Sequence, residues 1–227
     1  DIIDTACAPI RQATRLIVAI GRIRSADALL KRRRIGRIAG SRIGEGGPDT
    51  EDREWVDQMV SREFTGRARV VEGGDSRQES VQKALAALPA DTDLVAVHDA
   101  VRPFIDLETI HKVFDEAPEM GAAIVAVPAV DTVKQVTRGT EHVKVRSTIP
   151  REKLVMAQTP QVFRYELISR AFQQARIDGF TGTDESSLVE RLDVEVSVVP
   201  GSDGNIKITK PGDMDLAHLY LQAETAR

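Results

Sequence analysis

Short apolar runs alternate with segments of helical period along the chain from about Trp55 onward. Leu94–Val97 is a continuous apolar run, which is typical of a strand buried on both faces of a sheet, and Ala122–Val127 is a second run of this kind. Pro128 ends the second run, because proline has no N–H to donate to a central ladder. This alternation predicts an α/β fold with a mostly parallel sheet.

Five helices are predicted by capping signals and by apolar residues that recur every three or four positions. Ser76 and Glu79 form a capping box ahead of the first helix. The remaining helices are predicted from near Leu107, over Tyr165–Arg176, from Thr183–Asp184, and from about Asp213 through Leu221.

Two further strands are predicted in the C-terminal third of the chain. Residues 194–198 alternate valine with polar side chains, as a strand with one buried face does. Asn205–Thr209 is expected to form another β segment, which places Lys207 on the face opposite its two isoleucines.

The pattern differs between residues 130 and 150, where polar and apolar residues alternate in two short segments. Thr132–Val136 and His142–Thr148 flank Arg138–Gly139, and this arrangement predicts a two-stranded antiparallel arm. An isolated hairpin is only marginally stable in water, so we expect the arm to pack on something, with a second subunit as a natural candidate.

The composition is that of a globular protein without disulfide bonds. With 227 residues, 41% of them hydrophobic, the chain is long enough for one domain spanning residues 1–227. Cys7 is the single cysteine, which excludes a disulfide scaffold and favours a reducing, cytoplasmic location. The longest apolar stretch, Ala122–Val130, is about half as long as a bilayer-spanning helix, so no membrane segment is predicted.

Charge is distributed unevenly along the chain. The net charge is −4 overall, which gives no general attraction to nucleic acid or anionic lipid. Residues 1–47 nevertheless carry a net charge of +6, so we treat residues 1–54 as an anomalous basic part. Nucleic-acid binding by this part is not favoured, because residues 11–46 contain no aromatic residue and no sustained period.

Two clusters of chemical interest follow predicted strands. Gly73–Gly74–Asp75 allows close approach of a ligand, and the helix behind it offers free N–H groups; a plain capped turn is the alternative. In the second cluster, the Asp99 carboxylate is a suitable ligand for a divalent metal, and the Arg102 guanidinium is suited to bidentate hydrogen bonding with a phosphate. A structural ion pair between the two residues is the alternative. His98 is interpreted as a packed or hydrogen-bonded residue.

Six segments, in this order, resemble one enzyme family: GGDSRQESV, VHDAVRPFI, VPAVDTVKQV, IPREKLVMAQTPQVF, GTDESSLVE and GNIKITKPGDM. They resemble the 2-C-methyl-D-erythritol 4-phosphate cytidylyltransferases of the non-mevalonate isoprenoid pathway, over about residues 67–222. The resemblance implies a Rossmann-like nucleotidyltransferase fold, with CTP and a polyol phosphate as substrates. It also implies a homodimer formed through a protruding β-arm, which is where the hairpin is predicted.

The resemblance also assigns residues to the nucleotide and to the sugar phosphate. It implies that Gly74, Asp75 and Ser80 line the cytidine nucleotide. Asp99 and Arg102 are expected beside the sugar phosphate, with Asp99 close to a Mg²⁺ ion.

Further residues are assigned to the reaction itself. Thr132 and Arg151 are expected to reach the methylerythritol phosphate from the partner subunit's arm, and Lys207 to position that phosphate for attack. From the residues alone, the more usual interpretation of each of these three side chains is a solvated surface group.

The N-terminal part departs from the family pattern. The family opens with a strand, a glycine-rich loop of the form AAGxGxRM, and a following Pro-Lys-Gln; here only Arg11 and, more weakly, Lys31 can be aligned with its cations. A corrupted reading frame, a divergence that abolished catalysis, and a new role such as RNA binding are the three interpretations.

The expected reaction needs positioning and charge neutralisation. A phosphate monoester has a second pKa near 6, so its attacking oxygen is already ionised at pH 7 and needs no general base. Mg²⁺ and several cationic side chains are expected to reduce the repulsion between the two phosphate groups. A ribitol 5-phosphate cytidylyltransferase and a catalytically weakened dimeric relative are the alternatives.

Overall fold

The structure is a computed structural model that describes residues 14–20, 71, 73–89, 91–99, 101–138 and 142–225. Within these residues the strands are β1 (Thr14–Ile20), β2 (Leu94–Asp99), β3 (Ala122–Pro128), β4 (Val133–Arg138), β5 (Val143–Ile149), β6 (Val155–Arg164) and β7 (Ser197–Pro200). The helices are α1 (Arg77–Ala86), α2 (Leu107–Met120), α3 (Tyr165–Asp178), α4 (Ser186–Glu190) and α5 (Pro211–Thr225), with a 3₁₀-helix at Arg151–Lys153.

The predicted helix boundaries have clear physical causes. The capping box of α1 is present, because the Ser76 side chain accepts from the Glu79 N–H and the Glu79 carboxylate accepts from the Ser76 N–H. Gly179 ends α3 in the left-handed conformation, with φ of 64°, and its N–H bonds back into the last turn. All five predicted helices are confirmed.

The main sheet is mixed and has the strand order β1-β2-β6-β3-β7. β1 pairs in parallel with β2, and β3 pairs in parallel with β7, whereas β6 runs antiparallel to both β2 and β3. Four of its five strands therefore share one direction, which confirms the α/β class. Strands β1 and β6 were not predicted from the sequence pattern, and the reversed central strand β6 makes the sheet mixed.

One of the two predicted C-terminal strands is present with other bounds, and the other prediction was wrong. The strand predicted over residues 194–198 is β7, which begins only at Ser197, while Val194 and Val196 before it pack against the core. Asn205–Thr209 is not a strand, because it makes isolated bonds, such as the Ile208 N–H to the Val101 carbonyl, in place of a ladder. This loop is held by the buried side chain of Asn205.

Helices cover both faces of the sheet. Neighbouring residues of β2 point to opposite sides, so Val95 and Val97 join the core beneath α1, α3 and α4. Leu94 and Ala96 join a second core cluster beneath α2. This two-sided burial explains why all six residues of β2 are buried, including Asp99 at its carboxyl end.

The β-arm is confirmed as a separate two-stranded antiparallel sheet made of β4 and β5. Most of its side chains are exposed. Among the described residues, no helix is both long and apolar enough to cross a bilayer.

Candidate active site

Asp99 lies at the carboxyl end of β2 and contacts three cationic side chains. Its Oδ2 is 3.0 Å from Nζ of Lys207 and 3.6 Å from Nε of Arg102, and its Oδ1 is 3.4 Å from a terminal nitrogen of Arg77. Burial by itself raises the pKa of Asp99, but the nearby charges of Arg77, Lys207 and Arg102 outweigh it and hold that pKa below its ordinary value. The carboxylate is therefore ionised within a cationic cluster.

The loop after β7 brings Lys207 to Asp99. The Nδ2 group of Asn205 donates to Gln158 Oε1 at 3.1 Å and to the Thr159 carbonyl at 3.0 Å, which attaches the loop to β6. Arg102 in turn donates to the Asn205 carbonyl at 2.7 Å. The Asp99–Arg102–Lys207 grouping that the sequence predicted is thus present in one chain.

A buried histidine supports the turn that carries Asp99 and Arg102. The His98 Nε2 atom lies 2.9 Å from the Arg102 carbonyl, and Nδ1 lies 2.9 Å from Oγ1 of Thr159, which also accepts from the Asp99 N–H. Burial lowers the pKa of His98, which favours the neutral ring. A neutral ring donates from Nε2 and accepts the Thr159 hydroxyl proton at Nδ1, so the interpretation of His98 as a hydrogen-bonded residue is confirmed.

The surroundings of Asp99 do not fit a protein-held Mg²⁺. Both of its carboxylate oxygens face cationic nitrogen atoms, and a divalent cation is repelled by such neighbours. In the part of the chain that the structure describes, no group of three or more acidic, histidine or cysteine side chains converges on one point. The metal role expected of Asp99 is therefore not supported by its geometry.

The turn before α1 is closed by its own side chains. The Gly74 N–H donates to Ser80 Oγ, and the Asp75 and Ser76 N–H groups donate to the Glu79 carboxylate. These three N–H groups are engaged within the turn itself, as in the capped turn that was the alternative interpretation, and the Glu79 N–H of the helix is engaged by Ser76. A Cβ on Gly74 would lie 2.3 Å from Cβ of Glu79, so only glycine fits this turn.

Ser80 has an internal role in the same turn. Its buried hydroxyl donates to the Ser76 carbonyl at 2.9 Å while accepting from Gly74. The hydroxyl proton is therefore already engaged in fixing the turn where the nucleotide contact is predicted.

Two functional candidates were missed by the sequence reasoning, Arg77 and Glu185. Arg77 donates to both carboxylate oxygens of Glu185, at 2.6 and 2.9 Å, and reaches Asp99 with the same guanidinium. Glu185 is 1% exposed and lies at the start of α4. The available signal was the position of Glu185 directly after Asp184. The carboxylate of Asp184 accepts from Gln161 and from two serines of α4.

Thr132 and Arg151 lie at the base of the β-arm. Both are exposed, and a terminal nitrogen of Arg151 donates to the Val130 carbonyl at 2.5 Å. Among the described residues of the chain, no hydrogen bond or ion pair joins either side chain to Asp99, Arg102 or Lys207. Arg11 and Lys31 fall outside the described residues.

Comparisons with known proteins identify the family of the chain. The family model for 2-C-methyl-D-erythritol 4-phosphate cytidylyltransferase (IspD) matches residues 23–223. A protein of that name from Solibacter usitatus is 75% identical over 178 residues, which cover 78% of this chain and 73% of the relative. One from Acidobacterium capsulatum is 55% identical over 165 residues, which cover 72% of this chain and 69% of the relative.

Two solved structures have a similar fold. The 4-diphosphocytidyl-2C-methyl-D-erythritol synthase from Anaerococcus prevotii has a TM-score of 0.76 at 30% identity, covering 95% of this chain and 99% of its own. The 2-C-methyl-D-erythritol 4-phosphate cytidylyltransferase from Thermus thermophilus has a TM-score of 0.69 at 28% identity, covering 92% of this chain and 98% of its own. The chain belongs to the IspD family of 2-C-methyl-D-erythritol 4-phosphate cytidylyltransferases.

Proposed function

We propose that this protein joins CTP and 2-C-methyl-D-erythritol 4-phosphate to give 4-diphosphocytidyl-2-C-methyl-D-erythritol and pyrophosphate. The observation that carries the proposal is the set of cations around Asp99 at the carboxyl end of β2, where ligands bind in open α/β sheets. The names of the similar proteins and the family model support the same reaction. A cytoplasmic location, which the single cysteine predicts, is part of the proposal.

The reaction requires little proton transfer. At pH 7 the ionised phosphate oxygen of the polyol phosphate forms a bond to the α-phosphorus of CTP. The bond from that phosphorus to the bridging oxygen of the β-phosphate breaks, and pyrophosphate leaves with the electron pair. Lys207, whose side chain is 45% exposed, presents its ammonium group to these phosphates while Asp99 fixes its position.

The other predicted residues complete the proposal. Gly74, Asp75 and Ser80 form the turn assigned to the nucleotide, and Arg102 is placed beside the sugar phosphate. Mg²⁺ belongs to the proposal as a companion of the CTP phosphates, because this ion is commonly bound through substrate phosphates with only one or two carboxylates.

A homodimer is proposed because the β-arm exposes an apolar face. Val136 lies opposite Val145 in the register, and Val143 follows on the same face of β5. These valines are 42%, 64% and 64% exposed, respectively, which is unfavourable for a hairpin in water. Packing of two arms covers this face and brings Thr132 and Arg151 of one subunit to the site of its partner.

We expect Val145→Glu to weaken the dimer, because the substitution places a charge in the middle of the apolar face. Sedimentation at micromolar concentration measures the change, with the parent expected at twice the mass of the chain and the variant at its single mass. Thr137→Glu is the matched control, since Thr137 is exposed on the opposite face of the arm. A parent that sediments as a single chain contradicts the dimer.

The substrate is tested by pyrophosphate release from CTP and Mg²⁺ with either polyol phosphate. We expect release with 2-C-methyl-D-erythritol 4-phosphate and much less with ribitol 5-phosphate. Preference for ribitol 5-phosphate would overturn the proposed substrate. If neither polyol phosphate gives pyrophosphate release at high enzyme concentration, while CTP still raises the Tm, the protein is a catalytically weakened relative.

A further inference from the structure

Glu185 is a carboxylate that the proposed reaction does not use and that is almost completely buried. It is 1% exposed, and an unpaired charge in such a place is strongly unfavourable. Burial raises the pKa of Glu185, and the neighbouring Arg77 opposes that shift. The guanidinium of Arg77 is the partner that makes the burial tolerable, with donor–acceptor distances of 2.6 and 2.9 Å.

The same guanidinium also reaches the site. The Arg77 nitrogen that donates to Glu185 at 2.9 Å lies 3.4 Å from Oδ1 of Asp99. A planar guanidinium held by two bonds to one carboxylate has a fixed orientation, so its direction toward Asp99 is fixed as well. The two residues come from separate elements, since Arg77 begins α1 and Glu185 precedes α4.

The contacts of Asp99 differ between its two oxygens. Arg102 and Lys207 both approach Oδ2, whereas Arg77 is the cation at Oδ1. Without Arg77, the Asp99 carboxylate is attracted by Arg102 and Lys207 at Oδ2 and has no cation at Oδ1 to oppose them. It is then free to rotate toward these two cations. Such a rotation moves the ammonium group of Lys207, because that group lies 3.0 Å from Oδ2.

From these contacts we infer that the Arg77–Glu185 pair is a positioning device for Asp99, and through Asp99 for Lys207. This inference rests on the proposed function, since it deepens the description of the same site. Neither residue of the pair is a catalytic residue in this account. Displacement of a reacting group by about 1 Å costs on the order of 10²-fold in rate, so an orienting contact of this kind has a measurable effect.

The test replaces the pair by apolar residues of similar size, Arg77→Met with Glu185→Leu. Exchange of a buried ion pair for well-packed apolar residues is often neutral for stability, so the double variant is expected to fold. We expect its kcat/KM for the polyol phosphate to fall about tenfold, because Asp99 loses its contact at Oδ1. Arg77→Lys keeps the positive charge but lacks the planar guanidinium that hydrogen-bonds to two carboxylates at once. Its kcat/KM is therefore expected to lie between the value of the double variant and that of the parent.

A structural role and a positioning role are separated by Asp99→Asn. If the pair acts through Asp99, adding its two substitutions to Asp99→Asn causes less than about a twofold further loss. Kinetic constants of the double variant equal to those of the parent would overturn the inference, and so would a full tenfold loss in the Asp99→Asn background. Arg170→Met, at an exposed arginine of α3, is the control and is expected to leave the constants unchanged.

Failure of the proposed function is recognisable in the same experiment. A parent protein without transfer to either polyol phosphate refutes the function, and the inference is then decided by the affinity for 2-C-methyl-D-erythritol 4-phosphate, measured by titration calorimetry. The double variant must bind at least about fivefold more weakly than the parent. Equal affinities, or no binding by either protein, overturn the inference.

Discussion

Replacing Lys207 by alanine is expected to lower kcat for cytidylyl transfer by at least about tenfold. Loss of an oxyanion-hole donor in other enzymes lowers kcat by on the order of 10²-fold, and a loss of that size is expected if Lys207 acts in the same way. Its ammonium group is held 3.0 Å from Asp99, and its side chain is nearly half exposed. It therefore combines a fixed position with access to a ligand. Two phosphate groups repel each other as they meet, and a fixed positive charge lowers that repulsion most in the transition state.

The measurement is steady-state pyrophosphate release at saturating CTP and polyol phosphate, accompanied by the circular dichroism spectrum and the Tm. The loop keeps its attachment through Asn205, so the variant is expected to remain folded. Lys112→Ala, at an exposed lysine of α2 that pairs with Glu108, is the matched control. A turnover of the Lys207 variant within twofold of the parent would remove this residue from the mechanism.

The sequence predicted the elements whose signals are local. The apolar runs of β2 and β3 are buried on both sides, as their composition indicated. The capping box at Ser76 starts α1 as predicted, because the contacts concerned lie within a few residues. The hairpin followed from the same kind of short-range alternation.

Strand β6 could not be recognised in this way, because its buried half contains polar residues. Gln158, Thr159 and Gln161 are each at most 7% exposed. Their side chains bond to Asn205, to the Asp99 N–H and to Asp184, respectively. A buried polar group is tolerated when its partners are present, and those partners come from segments remote in sequence.

In the candidate site, too, local sequence signals were recognised and contacts between remote segments were not. Asp99 and Arg102 are three residues apart, and their motif was sufficient to propose them. Arg77 and Glu185 are separated by 108 positions, so no periodicity links them. Lys207 was predicted by its motif, but the reason for its position is the buried Asn205, which holds an irregular loop where the sequence pattern favoured a strand.

The proposed sharing of the site between two subunits leads to the second large expected effect. Lys207 lies beside Asp99 within one chain, whereas Arg151 lies at the base of the arm with no bond to that cluster among the described residues. If the arm serves the partner's site, each active centre combines Lys207 of one subunit with Arg151 of the other. Arg151→Ala is then expected to lower kcat by at least about tenfold, like Lys207→Ala.

Mixing the two inactive variants is expected to restore activity to about one quarter of the parent value once subunits have exchanged. Half of the dimers are then hybrids, and in a hybrid one centre carries both substitutions while the other carries neither. If Arg151 served the site of its own chain, every centre in the mixture would keep one substitution. Activity that stays at the level of the separate variants, although sedimentation of differently tagged chains shows that hybrids have formed, would therefore place Arg151 in its own subunit's site.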